Sequence, residues 1–350
     1  MTQGADTSGF LEAQISGRFA IDRSDLAPPL PDKIAIEINN SCNHKCYFCP
    51  NPIMTRARTV MDGAMVLRIL DDAHRSGIGE VSFYSTGEPF LNKGLADYVA
   101  TAKRIGFSYV YLSTNGGKAV SPRLEPVLRA GLDSLKFSVN AGTRETYARV
   151  HGVDEFDTVI ENIARVSEHR RRNNPAMKLF VSFVETDLNR GTFADLELRV
   201  GALVDEVIRY PFIVIGTPLG RRDESADNAR PSIGYQDVDR GIPLNHQRTS
   251  LPCYQLWSYL NVTVEGWLSA CCSDFNADLV VGSLHGNTLL EAWHSQEFQE
   301  LRQRHLEGQT KGTLCHGCVA QKDKPYRPIN IHLTEMPITA ESDPASGRKV

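Results

Sequence analysis

The segment Glu37-Ile-Asn-Asn-Ser-Cys42-Asn-His-Lys-Cys46-Tyr-Phe-Cys49-Pro50 carries three cysteines in a C-x3-C-x2-C spacing, at the end of a predicted strand. A structural zinc site normally takes four protein ligands, whereas this loop offers three thiolates. A four-iron cluster held by three cysteines keeps one iron open for another ligand. Because α/β folds bind ligands beyond the carboxyl ends of their strands, the loop is well placed for such a centre. The spacing favours an iron–sulfur cluster, and the alternative is a zinc site completed by His44 or a distant residue.

The remaining cysteines lie in the last third of the chain. They are Cys253, Cys271, Cys272, Cys315 and Cys318. Disulfides are rare in reducing compartments, where short cysteine spacings more often bind metal. Nothing else in the sequence is typical of an extracellular protein, so both cysteine groups indicate metal binding.

Length and charge exclude several classes of protein. The chain has 350 residues, with 38 Lys and Arg against 42 Asp and Glu and a formal net charge of −4. This length suggests two domains, or one large barrel with an appendage. The charge balance offers no basic surface for nucleic acid. No apolar run of about 18 residues and no apolar leader segment is present, so we expect a cytoplasmic protein that does not enter a membrane.

Between residues 33 and 215, short β-branched runs alternate with helical periods. The predicted strands are 33–39, 80–86, 107–114, 134–139, 178–185 and 207–215, and the predicted helices are 62–76, 93–105, 122–130, 155–172 and 192–203. This alternation predicts βαβ units and a parallel sheet. Six repeats are too few for a closed eight-fold barrel, so the prediction is an α/β fold with a partial (β/α)6 barrel.

The pattern divides the chain into five parts: an N-terminal extension (1–32), the barrel (33–216), a polar linker (217–252), a small cysteine-bearing domain (253–320) and a polar tail (321–350). In the small domain, Glu265-Gly266 is a turn signal between alternating runs and predicts a β-hairpin over 259–272. A helix is predicted over 289–305. Its expected apolar face is Leu290, Trp293, Phe298 and Leu301.

The first cysteine loop resembles the cluster loop of the radical S-adenosylmethionine (radical SAM) superfamily, and similar motifs follow at successive strand ends. Ser85-Thr-Gly-Glu-Pro89 is similar to the Gly-Gly-Glu-Pro segment that contacts the amino group of SAM, with Thr86 replacing the first glycine. Thr114-Asn-Gly116 and Ser138-Val-Asn140 are similar to the segments ending its third and fourth strands. After the fourth strand the family often has Arg-Gly where this chain has His151-Gly152.

This resemblance implies a role for each matched residue. Cys42, Cys46 and Cys49 would bind a [4Fe-4S] cluster. The expected SAM contacts are Thr86, Gly87, Glu88, Asn115, Ser138, Asn140 and Arg149. Arg149 is included because it is the nearest arginine to the position of the family's Arg-Gly.

The second cysteine group, with Gly266, resembles the auxiliary-cluster extension of radical SAM enzymes, the SPASM/twitch domain. Full SPASM domains carry more cysteines, so this one is similar to the truncated twitch form. Its four ligands would be Cys253, Cys271, Cys315 and Cys318, which together complete one auxiliary [4Fe-4S] cluster. The alternative is a zinc ribbon built from the same four residues. Cys272 is left over, either as a hydrogen-atom donor or as a buried thiol that alternation turns away from Cys271.

The resemblance further implies reductive cleavage of SAM and hydrogen abstraction by a 5′-deoxyadenosyl radical, with electrons from a donor such as flavodoxin or ferredoxin. We expect a small polar substrate (an aminocyclitol, sugar or nucleoside) whose alcohol is oxidised, as in twitch-bearing dehydrogenases of antibiotic biosynthesis. Glu185, at the end of the fifth predicted strand, is the candidate base. The alternatives are redox-neutral decarboxylation or epimerisation of a sugar, a peptide or sulfatase maturase, and a non-enzymatic zinc-binding interaction protein.

Metal analysis tests these alternatives. Anaerobically reconstituted protein should contain about eight iron and about eight sulfide ions, because each cysteine group suits a four-iron cluster. Iron, sulfide and zinc are measured together on the desalted protein. Two zinc ions with no iron would contradict the assignment of both sites.

Overall fold

The computed structural model describes residues 22–211, 252–311 and 313–315. The predicted linker, the predicted tail and Cys318 therefore lie outside the described residues, except for residue 252. The five domain boundaries stay predictions.

One sheet runs through both halves of the described chain. Its strands are β1 (Lys33–Ile36), β2 (Glu80–Ser82), β3 (Tyr109–Thr114), β4 (Ser134–Ser138), β5 (Lys178–Glu185), β6 (Glu206–Pro211), β7 (Leu260–Val262), β8 (Trp267–Ser269) and β9 (Val280–Ser283). The spatial order is β6-β5-β4-β3-β2-β1-β7-β8-β9, and β1 to β6 are parallel in consecutive order. The predicted α/β class with an open, six-stranded parallel sheet is confirmed.

The helices follow the predicted alternation. They are α1 (Gly63–Arg75), α2 (Leu95–Ile105), α3 (Ser121–Arg129), α4 (Arg144–His151), α5 (Phe156–Asn173), α6 (Phe193–Val200), α7 (Gln255–Ser258), α8 (Leu289–Trp293) and α9 (Gln296–Leu306). The short helix α4 was not predicted, because the charged residues Arg144 and Glu145 at its start obscure its helical period. Thr143 caps this helix by accepting a hydrogen bond from the backbone of Thr146.

Side chains alternate between the two faces of the sheet. In β3, Val110 and Leu112 are buried in the apolar core that also contains Val66 and Ile69 of α1. Tyr111, which lies between them, points to the opposite face of the sheet, which we call the inner face. The helices therefore pack on one face of the sheet, and polar side chains lie on the inner face.

The C-terminal part joins the sheet through β7, which pairs in parallel with β1. β7 and β8 form the predicted hairpin, with Gly266 at φ 80° in its turn. The predicted helix over 289–305 is two helices, because Ser295 caps α9 by accepting a hydrogen bond from Phe298. The expected apolar face is wrong at Leu290, which is 45% exposed, whereas Leu289 is fully buried.

A buried arginine holds this C-terminal part together. The guanidinium of Arg302, in α9, donates to the carbonyl oxygens of Leu256 (3.0 Å), Leu26 (2.8 Å) and Trp293 (3.0 Å). It also lies 3.8 Å from the ring centre of Phe298, a cation–π arrangement. Burial lowers the pKa of Arg302 to about 9, so the three carbonyls and the ring offset a substantial desolvation cost.

In the part of the chain that the structure describes, no helix combines the length and the apolar character needed to cross a bilayer.

Replacing Arg302 tests the importance of this contact. Arg302→Met should lower the free energy of unfolding by about 3 kcal/mol, because three buried carbonyls lose a charged donor. Arg304→Met, in the same helix but with hydrogen bonds at the surface, should change it by less than about 1 kcal/mol. Both are measured by denaturant unfolding, and equal effects of the two variants would contradict this account.

Candidate functional site

The loop that carries Cys42, Cys46 and Cys49 leaves the carboxyl end of β1 and is held by α4. The backbone N–H of Lys45 donates to the carbonyl of His151 (3.0 Å), and that of Tyr47 donates to the carbonyl of Val150 (2.8 Å). The last carbonyls of a helix have no partner within the helix and are available for such contacts. The helix that the sequence analysis missed is therefore the support of the cysteine loop.

Backbone and side-chain N–H groups point at the sulfur atoms of this loop. Cys42 Sγ accepts from the N–H of His44 (3.5 Å) and from Asn115 Nδ2 (3.6 Å), and Cys49 Sγ accepts from the N–H of Asn51 (3.5 Å). Burial raises the pKa of the Cys42 thiol to about 12. A buried thiolate of this kind is stable only beside a bound cation. The donor set fits an iron–sulfur cluster, whose thiolate ligands are stabilised by both iron and N–H groups.

Two histidines lie against the middle cysteine. His151 Nδ1 is 3.3 Å from Cys46 Sγ and 3.2 Å from His44 Nδ1, and these three atoms lie close enough together to hold one metal ion. His44 Nε2 contacts Glu155 (2.8 Å). Burial lowers the pKa of His151 to about 3, which keeps its ring neutral. The sequence analysis did not select His151, although its place in the family's Arg-Gly position was a signal.

The predicted SAM contacts at the ends of β2 and β3 come together around Glu88. Its carboxylate accepts from the N–H of Phe90 (3.0 Å), Thr114 Oγ1 (2.7 Å) and the N–H of Asn115 (2.8 Å). Burial raises the pKa of Glu88 to about 7 despite these three donors. Gly87 lies so near the preceding loop that a Cβ there would be 2.4 Å from the carbonyl oxygen of Asn39. Only glycine fits this position.

A buried ion pair lies beneath this segment. Glu37, which is 1% exposed, accepts from Arg56 through both carboxylate oxygens (2.9 and 3.0 Å). It also accepts from the hydroxyl of Thr86, a predicted SAM contact, and from the N–H of Val264 (2.9 Å). One carboxylate therefore links β1, the segment after β2 and the β7–β8 hairpin. The sequence analysis missed this role, because Glu37 had no charged partner near it in sequence.

Arg56 extends the ion pair to the second cysteine group. It donates to Glu265 in the hairpin turn (2.7 Å) and to the carbonyl of Phe275 (2.8 Å). The N–H of Thr55 donates to Asn276 Oδ1 (2.9 Å). Because residues 55 and 56 follow the first cysteine loop and residues 275 and 276 follow Cys271 and Cys272, the segments next to the two cysteine groups are bonded directly to each other.

The remaining predicted SAM contacts are spread over β4 and α4. Ser138 Oγ lies on the inner face, 3.4 Å from Ser113 Oγ and 3.5 Å from Ser182 Oγ. Asn140 has a positive φ of 52°, and its side-chain oxygen accepts from the N–H of Val184 (2.8 Å). Arg149 is exposed on α4. The roles of all three residues stay predictions.

The second cysteine group lies along the apolar core of the described chain. Cys253 belongs to this core, and Cys271 and Cys315 pack against it. Cys271 Sγ accepts from the N–H of Ser273 (3.4 Å), the same arrangement as in the first group. Among the described residues no disulfide joins these cysteines. Three of the four predicted ligands therefore contact the core, and Cys318 lies outside the described residues. That the four bind one cluster stays a prediction.

Cys272 follows β8 in a loop, because the strand ends at Ser269. The alternation that was expected to turn Cys272 away from Cys271 therefore does not apply. Its sulfur is half-buried and lies 3.8 Å from the hydroxyl of Ser273. Both roles suggested for Cys272 stay predictions.

Glu185, the candidate base, is not on the inner face. Alternation along β5 places it with Phe183, which belongs to the core on the helix side. Its carboxylate is paired with Arg209 (2.7 Å from Nε), and Arg190 lies 3.9 Å away. Its role as a base stays a prediction.

Two family models match the chain. Residues 36–196 match the radical SAM superfamily, and residues 253–319 match an iron–sulfur cluster-binding domain called SPASM. These two domains imply a SAM-binding [4Fe-4S] cluster, an auxiliary iron–sulfur cluster and SAM as cofactors.

Curated relatives differ in what they act on. The S-adenosyl-L-methionine-dependent 2-deoxy-scyllo-inosamine dehydrogenase of Niallia circulans is 23% identical, covering 81% of this chain and 91% of that protein. The PqqA peptide cyclase of Gluconobacter oxydans is 26% identical, covering 76% of this chain and 77% of that protein. A probable GTP 3′,8-cyclase of Saccharolobus solfataricus is 33% identical but covers only 39% of this chain and 43% of that protein. This chain therefore spans less than half of that cyclase.

Solved structures share the fold. BtrN in complex with AdoMet and 2-DOIA matches with a TM-score of 0.51 and 20% identity, covering 83% of this chain and 93% of that one. SuiB of Streptococcus suis bound to precursor peptide SuiA matches with a TM-score of 0.59 and 15% identity, covering 82% and 68%. At these identities the likeness concerns the fold alone.

The raised pKa of Glu88 predicts a pH-dependent stability. An unfolded glutamate is ionised above about pH 4.3, whereas Glu88 in the folded protein keeps its proton up to about pH 7. The folded state therefore binds more protons between these values, and its stability falls as the pH rises. From pH 6 to pH 8 the wild-type protein should lose about 1 kcal/mol that Glu88→Gln does not lose.

Denaturant unfolding at both pH values measures this difference, and only the change with pH is compared. Glu161→Gln, an exposed position on α5, serves as the control and should follow the wild type. Parallel behaviour of Glu88→Gln and the wild type would show that Glu88 is ionised throughout.

Proposed function

Because this chain belongs to the radical SAM superfamily and carries a SPASM iron–sulfur domain, we propose that it oxidises an alcohol of a small, polar, carbohydrate-like substrate. Aminocyclitols, sugars and nucleosides are the candidate classes. The similarity that supports this proposal is the one to the Niallia circulans dehydrogenase, which runs over 91% of that protein. The reaction would belong to the biosynthesis of a specialised metabolite such as an antibiotic.

The inner face of the sheet is the observation that carries the proposal. Ser113, Ser138 and Ser182 present hydroxyl groups from three neighbouring strands, and Tyr111 adds a phenol from the same side of β3. Hydroxyl groups both donate and accept, so they suit a substrate with several hydroxyl or amino groups. The serine hydroxyls contact one another only at 3.4–3.5 Å, so each retains capacity to hydrogen-bond a polar substrate, which an apolar substrate could not use.

The chain's residues divide into three roles in this proposal. Cys42, Cys46 and Cys49 hold the SAM-binding cluster, and the four cysteines of the SPASM domain hold the auxiliary cluster. When bound, the first cluster supplies the electron that cleaves SAM to a 5′-deoxyadenosyl radical. Gly87, Glu88 and Asn115 shape the SAM site next to the first loop, because they are joined by hydrogen bonds and close backbone contact. Arg56 joins the segment after the first cysteine loop to the hairpin turn and to the segment after Cys272.

In this reaction the substrate radical would pass one electron to the auxiliary cluster, and its hydroxyl proton needs an acceptor. Glu185 stays a candidate, but its pairing with Arg209 on the helix side requires a rearrangement before it could reach the inner face. An external electron donor such as flavodoxin or ferredoxin, and a cytoplasmic location, complete the proposal.

A peptide substrate is the second candidate, and the similarity to the PqqA peptide cyclase favours it. A redox-neutral decarboxylation or epimerisation would use the same hydrogen abstraction and differ in the fate of the substrate radical. The fate of the abstracted hydrogen and the mass of the product distinguish these reactions.

Isotope transfer tests the alcohol oxidation. With reconstituted protein, SAM, a reductant and 2-deoxy-scyllo-inosamine deuterated at its carbinol carbons, deuterium should appear in 5′-deoxyadenosine and the product should be two hydrogens lighter. Mass spectrometry measures both compounds. Cys272→Ser should give the same products, because oxidation needs no hydrogen donor. A product that regains a hydrogen from Cys272, or labelling only with a peptide, would refute the dehydrogenase proposal.

A further inference from the structure

The side chain of Asn261, in β7, is buried without hydrogen-bond partners. It is 4% exposed, and neither Nδ2 nor Oδ1 has a partner among the residues that the structure describes. Nearly all buried polar groups in folded proteins are paired, and an unpaired carboxamide is strongly destabilising. Asn261 therefore needs a polar partner from outside the described chain.

The strand register shows where this carboxamide points. Leu260 and Val262 belong to the core on the helix side, so Asn261 between them faces the inner face. Its neighbour in β1 is Ala35, whose next neighbour in β2 is Ser82. Because Ala35 contributes only a methyl group, no large side chain of β1 stands between Asn261 and Ser82.

Asn261 lies between a closed end of the inner face and the SAM site. On one side, the hydroxyl of Tyr259 is 2.6 Å from that of Tyr111, so two rings meet across β1 and β2. On the other side, Glu37 follows Ala35 by two residues on the same face, about 7 Å along the strand. Glu37 contacts Thr86, the predicted SAM contact. A group bound to Asn261 would therefore be within the length of a small molecule from SAM.

We propose that Asn261 is a specificity-determining residue whose carboxamide binds a hydroxyl or amino group of the substrate. A carboxamide donates through Nδ2 and accepts through Oδ1. A hydroxyl or amino group can form hydrogen bonds with both atoms. A carboxylate or phosphate could only accept, which would leave Oδ1 unpaired. This inference rests on the proposed alcohol oxidation. The competing explanation is a trapped water molecule that satisfies the carboxamide permanently.

Kinetics of Asn261→Leu test the proposal on the reconstituted holoenzyme. Leucine has a similar volume and no hydrogen-bonding group, so KM for 2-deoxy-scyllo-inosamine should rise about tenfold. The turnover number and the slow cleavage of SAM without substrate should stay near wild type. Asn261→Ser, which keeps one hydroxyl, should have an intermediate KM. An unchanged KM in both variants, with active wild-type enzyme, would overturn the proposal.

Unfolding of the same holoproteins distinguishes the substrate from a trapped water. If no permanent partner exists, the denaturation midpoint of Asn261→Leu should equal or exceed that of the wild type. Asn162→Leu is the matched control, because the buried carboxamide of Asn162 donates to Gly116 (2.9 Å) and accepts from Arg165 (3.0 Å), and its midpoint should fall. A comparable fall in Asn261→Leu would show a permanent partner and overturn the proposal without reference to any substrate.

The proposed function can be refuted independently of the role proposed for Asn261. Wild-type enzyme that oxidises neither 2-deoxy-scyllo-inosamine nor scyllo-inositol would refute the alcohol oxidation, and the substrate assignment of Asn261 would fall with it. If the wild type turns over and the variants have unaltered kinetics, only the substrate assignment of Asn261 is refuted.

Discussion

The buried carboxylate of Glu37 is the group on which the arrangement of this site depends. A carboxylate that is 1% exposed is tolerated only when its charge is matched and its oxygens accept hydrogen bonds. Arg56, Thr86 and the N–H of Val264 meet that requirement, and each belongs to a different segment of the chain. Removing Arg56 would leave a buried charge without compensation, and removing either of the other two donors would leave a carboxylate oxygen with one hydrogen bond fewer. Separating the three segments would therefore cost free energy, and this cost holds them together.

This constraint explains how the segments next to two cysteine groups that are far apart in sequence are held against each other. The guanidinium of Arg56 reaches Glu37 on one side and Glu265 and Phe275 on the other. The pairing of β7 with β1 adds a continuous backbone connection between the two domains. An auxiliary centre is useful to a redox reaction only at a defined distance from the first centre. A sheet extension and a buried ion pair are rigid elements that can maintain such a distance.

Much of the fold and part of the site could be predicted from the sequence. The six parallel strands are periodic enough to be recognised locally, and the cysteine loop lies at a strand end, as its position after 33–39 indicated. The sequence analysis failed where a contact joins distant segments, as for Glu37 with Arg56 and for β7 with β1. The sequence alone also does not show which face of the sheet a side chain at a strand end points to. Glu185 stands at a strand end, but one residue of phase places its carboxylate on the helix side with Arg209.

The sequence by itself determined the cysteine spacing and the alternation of strands and helices between residues 33 and 211, because these depend on residues close together in the chain. The three thiols of the first loop and the turn at Gly266 are local in this sense. Only the tertiary structure decided which polar groups are buried together and which face of the sheet each one occupies. The carboxamide of Asn261 shows why: its burial and its lack of partners arise from β7 lying beside β1. The pairing of β7 with β1 depends on the free energy of the whole packed sheet and is not encoded in any short segment.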